Sequence, residues 1–402
     1  MGRMAVDDLA HLGIDPETVG LFTRPDYYEV LARLRDEAPV YRYAPHAWTV
    51  ARYEDVRTVS RDPAGFCSGR GVLMNDPLRQ GMELPGSILH MDPPGHAPWR
   101  KVASRWFTPR AAAGMEDGVR AIVRAVLDEV PVGGPIDLVD AVSAPVPVLV
   151  VAELLGISDG DRSDFRRWSD ACIEGAEDGG RDEMASVLAV GELLEFLGAH
   201  VTARRTEPGD DLLTALVEAE VDGRPLRDDE IVMYCLALLI AGNETSRHLI
   251  SGTVTALFEH PDQRAALVDD PSAAPGAVEE CLRWVTPIQA FGRTATTEVE
   301  LGGQAIEPGD WVVLLYASAN RDEAVFGADA GRFDVTRPAT PAHLAFGFGE
   351  HLCLGASLAR VEARVFLEEF LPRFPDYEVT GEPTWTGSTL VRGVASLPVV
   401  LR

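Results

Sequence analysis

The sequence predicts a mainly α chain with small β-sheets (α+β), and three observations carry that prediction. From Ala97 to about Glu259 the pattern is mostly helical, broken at Pro131–Pro135, Gly156–Gly160, Gly179–Gly180 and Glu207–Asp210, where proline, glycine and polar clusters punctuate it. Within that stretch, Asp228 to Phe258 reads as one long helix whose segment Ile231–Ala241 is apolar on nearly all sides, as in a helix through the centre of a protein. The β-rich runs are short and lie outside it, at Val40–Tyr43, Trp48–Ala51, Val299–Leu315 and Pro383–Leu401.

Taken in order, Tyr27–Glu37 has helical spacing through Tyr28, Val30, Leu31 and Leu34, followed by the first two strands joined at Pro45-His46-Ala47. Tyr53–Asp62 is the next helix. Gly69–Pro94 is a long irregular stretch, and loops of this length inside a compact domain are functional or disordered. Its apolar members, Val72, Leu73, Met74, Leu78, Met82, Leu84 and Ile88, favour a substrate-facing lid over a solvated linker. The long helix opens on Asp228, Asp229 and Glu230, which complement its macrodipole. Gly302–Gly303 and Pro308-Gly309-Asp310 mark turns of hairpins, and the C-terminal run returns to a small sheet. Ala356–Leu371 is strongly helical. No linker or repeat divides the 402 residues, so a single domain over 1–402 is expected.

A net charge of −27 argues against nucleic acid and against an anionic membrane surface. Hydrophobic residues at 46% and charged ones at 25% are ordinary for a soluble protein with ample core. Five cysteines without paired spacing fit a reducing compartment. Met1–Asp8 has no apolar signal region, and Ile231–Ala241, the longest apolar stretch, is too short to cross a bilayer. A cytoplasmic protein without membrane anchor is expected.

Chemistry concentrates around Cys353, in Phe346-Gly347-Phe348-Gly349-Glu350-His351-Leu352-Cys353-Leu354-Gly355. Glycines let a backbone pass close to a bulky flat group and adopt positive φ, and the helix start beyond the cysteine favours a thiolate over a thiol. Most cysteines only pack, and Cys67, Cys172, Cys235 and Cys281 fit that role. For Cys353 a zinc site lacks a second cysteine in reach, and a nucleophile with His343 or His351 as base is an alternative. A haem iron accepting sulfur as axial ligand suits the glycine pattern better.

Three further segments bear on this. Ala241-Gly242-Asn243-Glu244-Thr245 interrupts the apolar face of the long helix; it reads either as a kink, with Thr245 bonded back to the Ala241 carbonyl, or as a groove over a ligand with a carboxylate and a hydroxyl aimed at it. Glu280-Cys281-Leu282-Arg283 places acid and base at i, i+3, by itself an ordinary helix pair. Asp92-Pro93-Pro94-Gly95-His96-Ala97-Pro98-Trp99-Arg100 puts His96 and Arg100 on one helix face, able to reach one anionic group.

Together these four segments, in this order and spread over nearly the whole chain, resemble the cytochromes P-450, and actinobacterial members in particular. The resemblance implies the cytochrome P-450 fold, with a helix-rich core and the long central helix over haem b, and Cys353 as thiolate ligand of the iron. It implies Ala241, Gly242, Phe346, Gly347 and Gly355 at the cofactor, and His96, Arg100, Arg293 and His351 as partners of the haem propionates. Glu244 and Thr245 fall on the proton-delivery positions, with Glu in place of the commoner Asp. Glu280 and Arg283 become a buried structural network joined by an arginine from a later loop, best matched by Arg332. Arg227, where a capping Ser or Asp is usual, and Phe348 between the glycines are minor departures.

The implied activity is that of a haem-thiolate monooxygenase using O2 to hydroxylate or epoxidise a lipophilic small molecule, an iron-dependent oxidoreductase. No flavin or NAD fingerprint is present, so electrons come from a separate ferredoxin and its reductase, with NAD(P)H as distal source; Arg105, Arg110, Arg360 and Arg364 are docking candidates on an expected monomer. By family position the pocket comprises Val72, Leu73, Met74, Leu238, Ala241, Ile288, Gln289, Phe291, Leu390 and Val391, apolar with one amide. The texture favours a steroid, terpenoid or branched lipid, with tailoring of a polyketide or peptide natural product as alternative. A haem-thiolate gas carrier or sensor, and a peroxide-driven oxygenase, are disfavoured by Glu244–Thr245, because neither needs a proton relay.

Overall fold

The computed structural model describes residues 11–82, 87–176 and 183–402. The expected Leu84 of the apolar loop, the Gly179–Gly180 break and Met1–Asp8 lie outside these residues. Elsewhere the predicted elements recur with shifted ends: helices Tyr27–Glu37 and Tyr53–Arg61, strands Val40–Ala44 and Ala47–Val50, and the final helix Ala356–Arg373.

The long helix runs unbroken from Asp228 to Glu259, 32 residues, so the Ala241–Thr245 segment makes no interruption in it. Its start needs no serine. Glu230 accepts the Arg227 backbone N–H at 2.9 Å, and the Arg227 guanidinium turns to Asp229 at 3.0 Å. One face of the helix is buried through Ile231, Cys235, Leu239, Leu249, Ile250 and Leu257, within the largest apolar cluster of the described residues.

The largest sheet has the strand order Val40–Ala44, Ala47–Val50, Trp311–Leu315, Ala290–Ala295, Phe66–Cys67. Gly302–Gly303 closes a true hairpin between Val299–Leu301 and Gln304–Ile306, with both glycines at positive φ. The Pro308-Gly309-Asp310 turn does not. It hands the chain to Trp311–Leu315, which pairs antiparallel with Ala290–Ala295 and parallel with Ala47–Val50, because five consecutive buried residues there need partners on both edges. Gly292 has no room for a side chain: a Cβ would meet the Trp311 ring at 1.9 Å.

One helix, within Met184–Thr206, is long and apolar enough to span a membrane by length and composition, longer than the Ile231–Ala241 stretch that the sequence singled out. Leu193, Leu197 and Val201 on it join the core cluster, but only 22% of the apolar window is buried and Met184, Val187 and Leu188 are exposed, so the helix packs along one narrow side.

Candidate functional site

Cys353 is placed by its loop. Gly347 and Gly349 take φ of 70° and 75°, values that suit glycine, and a Cβ on Gly349 would lie 2.1 Å from the Ser60 carbonyl oxygen. The chain therefore folds back tightly against helix Tyr53–Arg61, and the Cys353 N–H donates to the Phe346 carbonyl at 2.9 Å. The Phe346 ring carries the Arg360 guanidinium at 4.6 Å, and Phe348 lies against both Arg57 and Arg61 at 4.6 Å. Burial pushes the Cys353 thiol up, while the Gly355 backbone N–H, Arg100 and Arg360 pull it back. The same side chain keeps accessible surface. A group both desolvated and accessible lines an internal cleft. Halfway along the core helix, Ile240 and Ala241 are also exposed, between buried Leu239 and Asn243.

The central helix and the helix after Cys353 meet where Ser246 Oγ approaches Glu362 at 3.4 Å. Next to Ser246, the Thr245 hydroxyl donates to the Ala241 carbonyl at 2.8 Å, leaving its oxygen as an acceptor. The local bond is present without the kink. Gly242 packs closely against helix Pro145–Leu155: a Cβ there would stand 3.1 Å from Val151 Cγ2. Asn243 points away from the cleft surface and donates to Ser169 at 2.7 Å. Glu244 is half-buried, 3.9 Å from Nε2 of His248, a histidine with neither ring nitrogen hydrogen-bonded.

The four predicted anion partners converge. The His96 and His351 rings stand 4.5 Å apart, and Arg100, one turn along helix His96–Ser104, donates to the Leu352 carbonyl at 2.6 Å. Arg293 is buried and donates only to its neighbour's carbonyl at Gly292. Burial, then Arg293, His96 and Arg100, hold the His351 imidazole down to about 3, so it is neutral at physiological pH. Its Nε2 lies 3.1 Å from Ser68 Oγ. Neither Arg100 nor Arg293 has an ion-pair partner among the described residues, and the buried Nε2 of His96 has no hydrogen-bond partner. Two arginines and an orphaned imidazole nitrogen around one spot fit a dianionic group such as the two carboxylates of haem b. Nearby, Asp92, Glu350 and His351 cluster, but Asp92 is engaged by the Ser68 and Gly69 N–H groups at 2.7 and 2.9 Å.

The nucleophile alternative finds no support here: among the described residues no hydrogen bond joins Cys353 to His343, which lies 3.3 Å from Glu279 and accepts the Ala345 N–H, or to His351, which lies beside Ser68.

The buried network is fully paired, with one correction. All five N–H donors of Arg283 are used, by Glu280 twice at 2.7 Å and by the carbonyls of Asn320, Ala330 and Arg332 at 2.8, 2.8 and 2.9 Å. The third member is Arg337, 3.2 Å from Glu280, not Arg332, whose side chain is exposed and which contributes its carbonyl. The contact lies off a hydrogen-bonding line, as an ion contact. Arg332 sits on the turn itself, so its side chain leaves the network; Arg337, five residues later, comes back under it.

Of the pocket candidates, Ile288 bridges Val391, the Gln289 N–H donates to the Leu390 carbonyl, and the Val72 carbonyl accepts from Gly292, so three segments form one wall. Leu73, Ile288, Phe291 and Leu390 keep partial exposure on it, as does Leu238 on the central helix. Val72, Met74, Gln289 and Val391 are instead buried; Met74 joins the Trp311 cluster and the Gln289 amide donates to the Thr286 carbonyl. Among the docking candidates, Arg360 is held by Glu279 at 2.6 Å and Arg364 by Glu116 at 2.5 Å, whereas Arg105 and Arg110 are exposed.

Glu362 was not foreseen. It is buried, its Oε1 has no partner, and burial pushes it up to about 8. An acid on a helix reads as a surface residue, and only the crossing with Ser246 reveals otherwise.

Residues 274–384 match the family model described as Cytochrome P450. The chain is 40% identical to erythromycin C-12 hydroxylase of Saccharopolyspora erythraea, over 89% of each chain. It is 36% identical to steroid C26-monooxygenase of Mycobacterium tuberculosis, over 91% of this chain and 98% of that one. A cytochrome P450 of Mycobacterium marinum solved in complex with pseudoionone superposes with a TM-score of 0.86 at 35% identity, covering 95% and 97% of the two chains. The chain belongs to the cytochrome P450 family, and its relatives place it among the monooxygenases of that family.

Proposed function

We propose that Cys353 is the thiolate ligand of haem b, and that the enzyme oxidises a lipophilic small molecule at the cleft between Cys353 and Ala241. The observation that carries this is the convergence of a cleft-lining cysteine with the unpaired Arg100–Arg293–His96 group. Bound there, haem supplies reductive activation of O2 and transfer of one oxygen atom to the substrate, the other leaving as water.

The chain's own residues do the rest. The Gly355 N–H tempers charge on the Cys353 sulfur, Arg100 and Arg293 neutralise the propionates, and the uncharged His96 and His351 rings orient them by hydrogen bonds. Phe346 takes the main-chain bond of the cysteine and packs beside it. Thr245, its hydroxyl hydrogen committed to Ala241, presents an oxygen lone pair to a donor in the cleft. Glu244, with 18% of its side chain exposed, exchanges protons with solvent, and Glu362 behind Ser246 holds a proton at neutral pH. This relay supports O2 activation over gas sensing, which has no need of one.

The relatives named for erythromycin and steroid oxidation, and the pseudoionone complex, support a large apolar substrate. The partly exposed wall of Leu73, Ile288, Phe291 and Leu390, with Leu238 on the central helix, offers only apolar contact. We read a steroid, terpenoid or branched lipid as substrate, with a macrolide-type natural product as second reading on the strength of the hydroxylase relative. Electrons would come from a ferredoxin and its reductase, docking through Arg105 and Arg110, since Arg360 and Arg364 are spent internally.

The test is the carbon monoxide difference spectrum of the dithionite-reduced protein. A strongly red-shifted Soret band that disappears in Cys353→Ser is the expected result. A band typical of histidine-ligated haem, or none from folded, haem-supplied protein, sinks the assignment.

A further inference from the structure

The segment from Ser68 to Asp92 contains a carboxylate that the oxygen chemistry does not use. Asp76 is almost fully buried, in a protein whose acids are mostly on the surface. Oδ2 accepts from the backbone N–H groups of Val72 at 2.9 Å and Leu73 at 3.2 Å, and Oδ1 accepts from Leu78 at 3.1 Å. Nε2 of His90, from the other arm of the segment, stands 2.8 Å from Oδ2. Four contacts converge on one carboxylate. Desolvation would push its pKa up, but these bonds win and hold it below the usual carboxylate range.

What Asp76 organises is the cleft wall. Of its three amide partners, Val72 is the one through which the segment joins the Phe291 strand, where the Gly292 N–H donates to the Val72 carbonyl at 2.8 Å, and Leu73 follows it. Val72 and Met74 are buried, and Leu73 between them keeps accessible surface. On the outer side Arg79 stacks on the Trp311 ring at 4.0 Å and pairs with Glu17 at 3.0 Å. At the base, Asp92 binds the Ser68 and Gly69 N–H groups, and Ser68 touches His351. The segment is thus tied at its base to the anion-binding group and at its waist by Asp76.

We propose that Asp76 is the specificity-setting positioning residue of this enzyme, holding Leu73 as a fixed part of the substrate wall; this rests on the haem cleft proposed above. A buried carboxylate with several amide donors is rigid, because releasing it leaves both it and the donors unpaired. The wall near Leu73 is therefore preformed and excludes or accepts ligands by shape.

The test uses the haem-loaded protein and two azole probes read by their Soret shifts: imidazole, too small to need the wall, and clotrimazole, which must contact it. Hydrogen exchange over residues 70–80 is measured in parallel. In Asp76→Ala, exchange should accelerate about tenfold or more, consistent with loss of charge-assisted bonds. The clotrimazole Kd should move by about tenfold, one such bond's worth, with imidazole unchanged. His90→Gln, which leaves the three amide bonds intact, guards against misfolding of the alanine variant and should give a smaller change of the same kind. Faster exchange with an unchanged ratio of the two Kd values, or no change in either, overturns the proposal. Wild-type protein that binds neither azole takes down the haem reading and this proposal with it, while the exchange data still report whether Asp76 holds the segment.

Discussion

Around Glu280, each guanidinium hydrogen of Arg283 meets an acceptor, and the whole assembly sits behind the cysteine loop with Arg283 only 2% exposed. The wall made by Val72–Leu73, Ile288–Phe291 and Leu390–Val391 is different. Its segments, far apart in sequence, are joined to one another by single main-chain bonds and an isolated bridge, and only the Val72–Leu73 arm is fixed further, by Asp76. On the first side polar groups are satisfied by the chain itself; on the second the apolar surface is left for something else to cover.

The contrast is easiest to break at its rigid end. Arg337→Ala should destabilise the holoenzyme by about 1–3 kcal/mol, since Glu280 keeps its pair with Arg283 while one charged contact is lost. Arg332→Ala should change stability by less than about 0.5 kcal/mol, as for a surface side chain. Chemical denaturation of the two variants checks both, and equal losses would return Arg332 to the network. Next in size is Thr245→Ala, in which loss of one hydroxyl should divert about 90% or more of the electrons to peroxide, within the range for a lost proton-delivery group. Peroxide yield per NAD(P)H is the readout, and full coupling in the variant would remove Thr245 from the relay.

A third prediction turns on pH. Glu362 is raised from 4.5 to about 8 in the folded protein, so the native state keeps a proton that the unfolded chain loses. Its stabilising contribution is full below the unfolded pKa and fades as pH rises through the folded one. Wild-type stability should therefore decline between about pH 5 and 8, and Glu362→Gln should flatten that decline. Parallel slopes for the two proteins would show that Glu362 is not buried as described. The smallest effect belongs to the surface: Arg110→Glu should slow electron transfer from a ferredoxin by about threefold at low salt and not at high salt. Stopped-flow reduction at two ionic strengths decides it, and a salt-independent loss would argue against docking there.

The rigid side was largely legible in the sequence and the apolar wall was not. Cys353, His96, Arg100, Arg293 and His351 are each fixed by short-range spacing or by glycines whose conformation only one residue type tolerates, and the structure brings them together as expected. The error at Arg332 arose because a loop arginine can reach a buried acid from several positions, and spacing does not say which one turns inward. Gln289 and Met74 are buried, the first with its amide on the Thr286 carbonyl and the second in the Trp311 cluster, whose members come from segments remote in sequence. Gly242 packs against Val151, a neighbour some ninety positions away.

By itself the sequence determined the helical frame, with a long helix over Asp228–Phe258, because hydrophobic period and charge spacing are local quantities; that no kink breaks it at Ala241–Thr245 is a finding of the structure. Side-chain chemistry alone does not say which acids are buried; of those found buried, only Glu280 was marked in advance, by the family resemblance. Asp76, Glu280 and Glu362 have the same side-chain chemistry as the many acids left in water. Only the crossing of distant segments determines whether a carboxylate is held ionised by amide donors, paired with guanidinium groups, or stripped of water and left holding its proton.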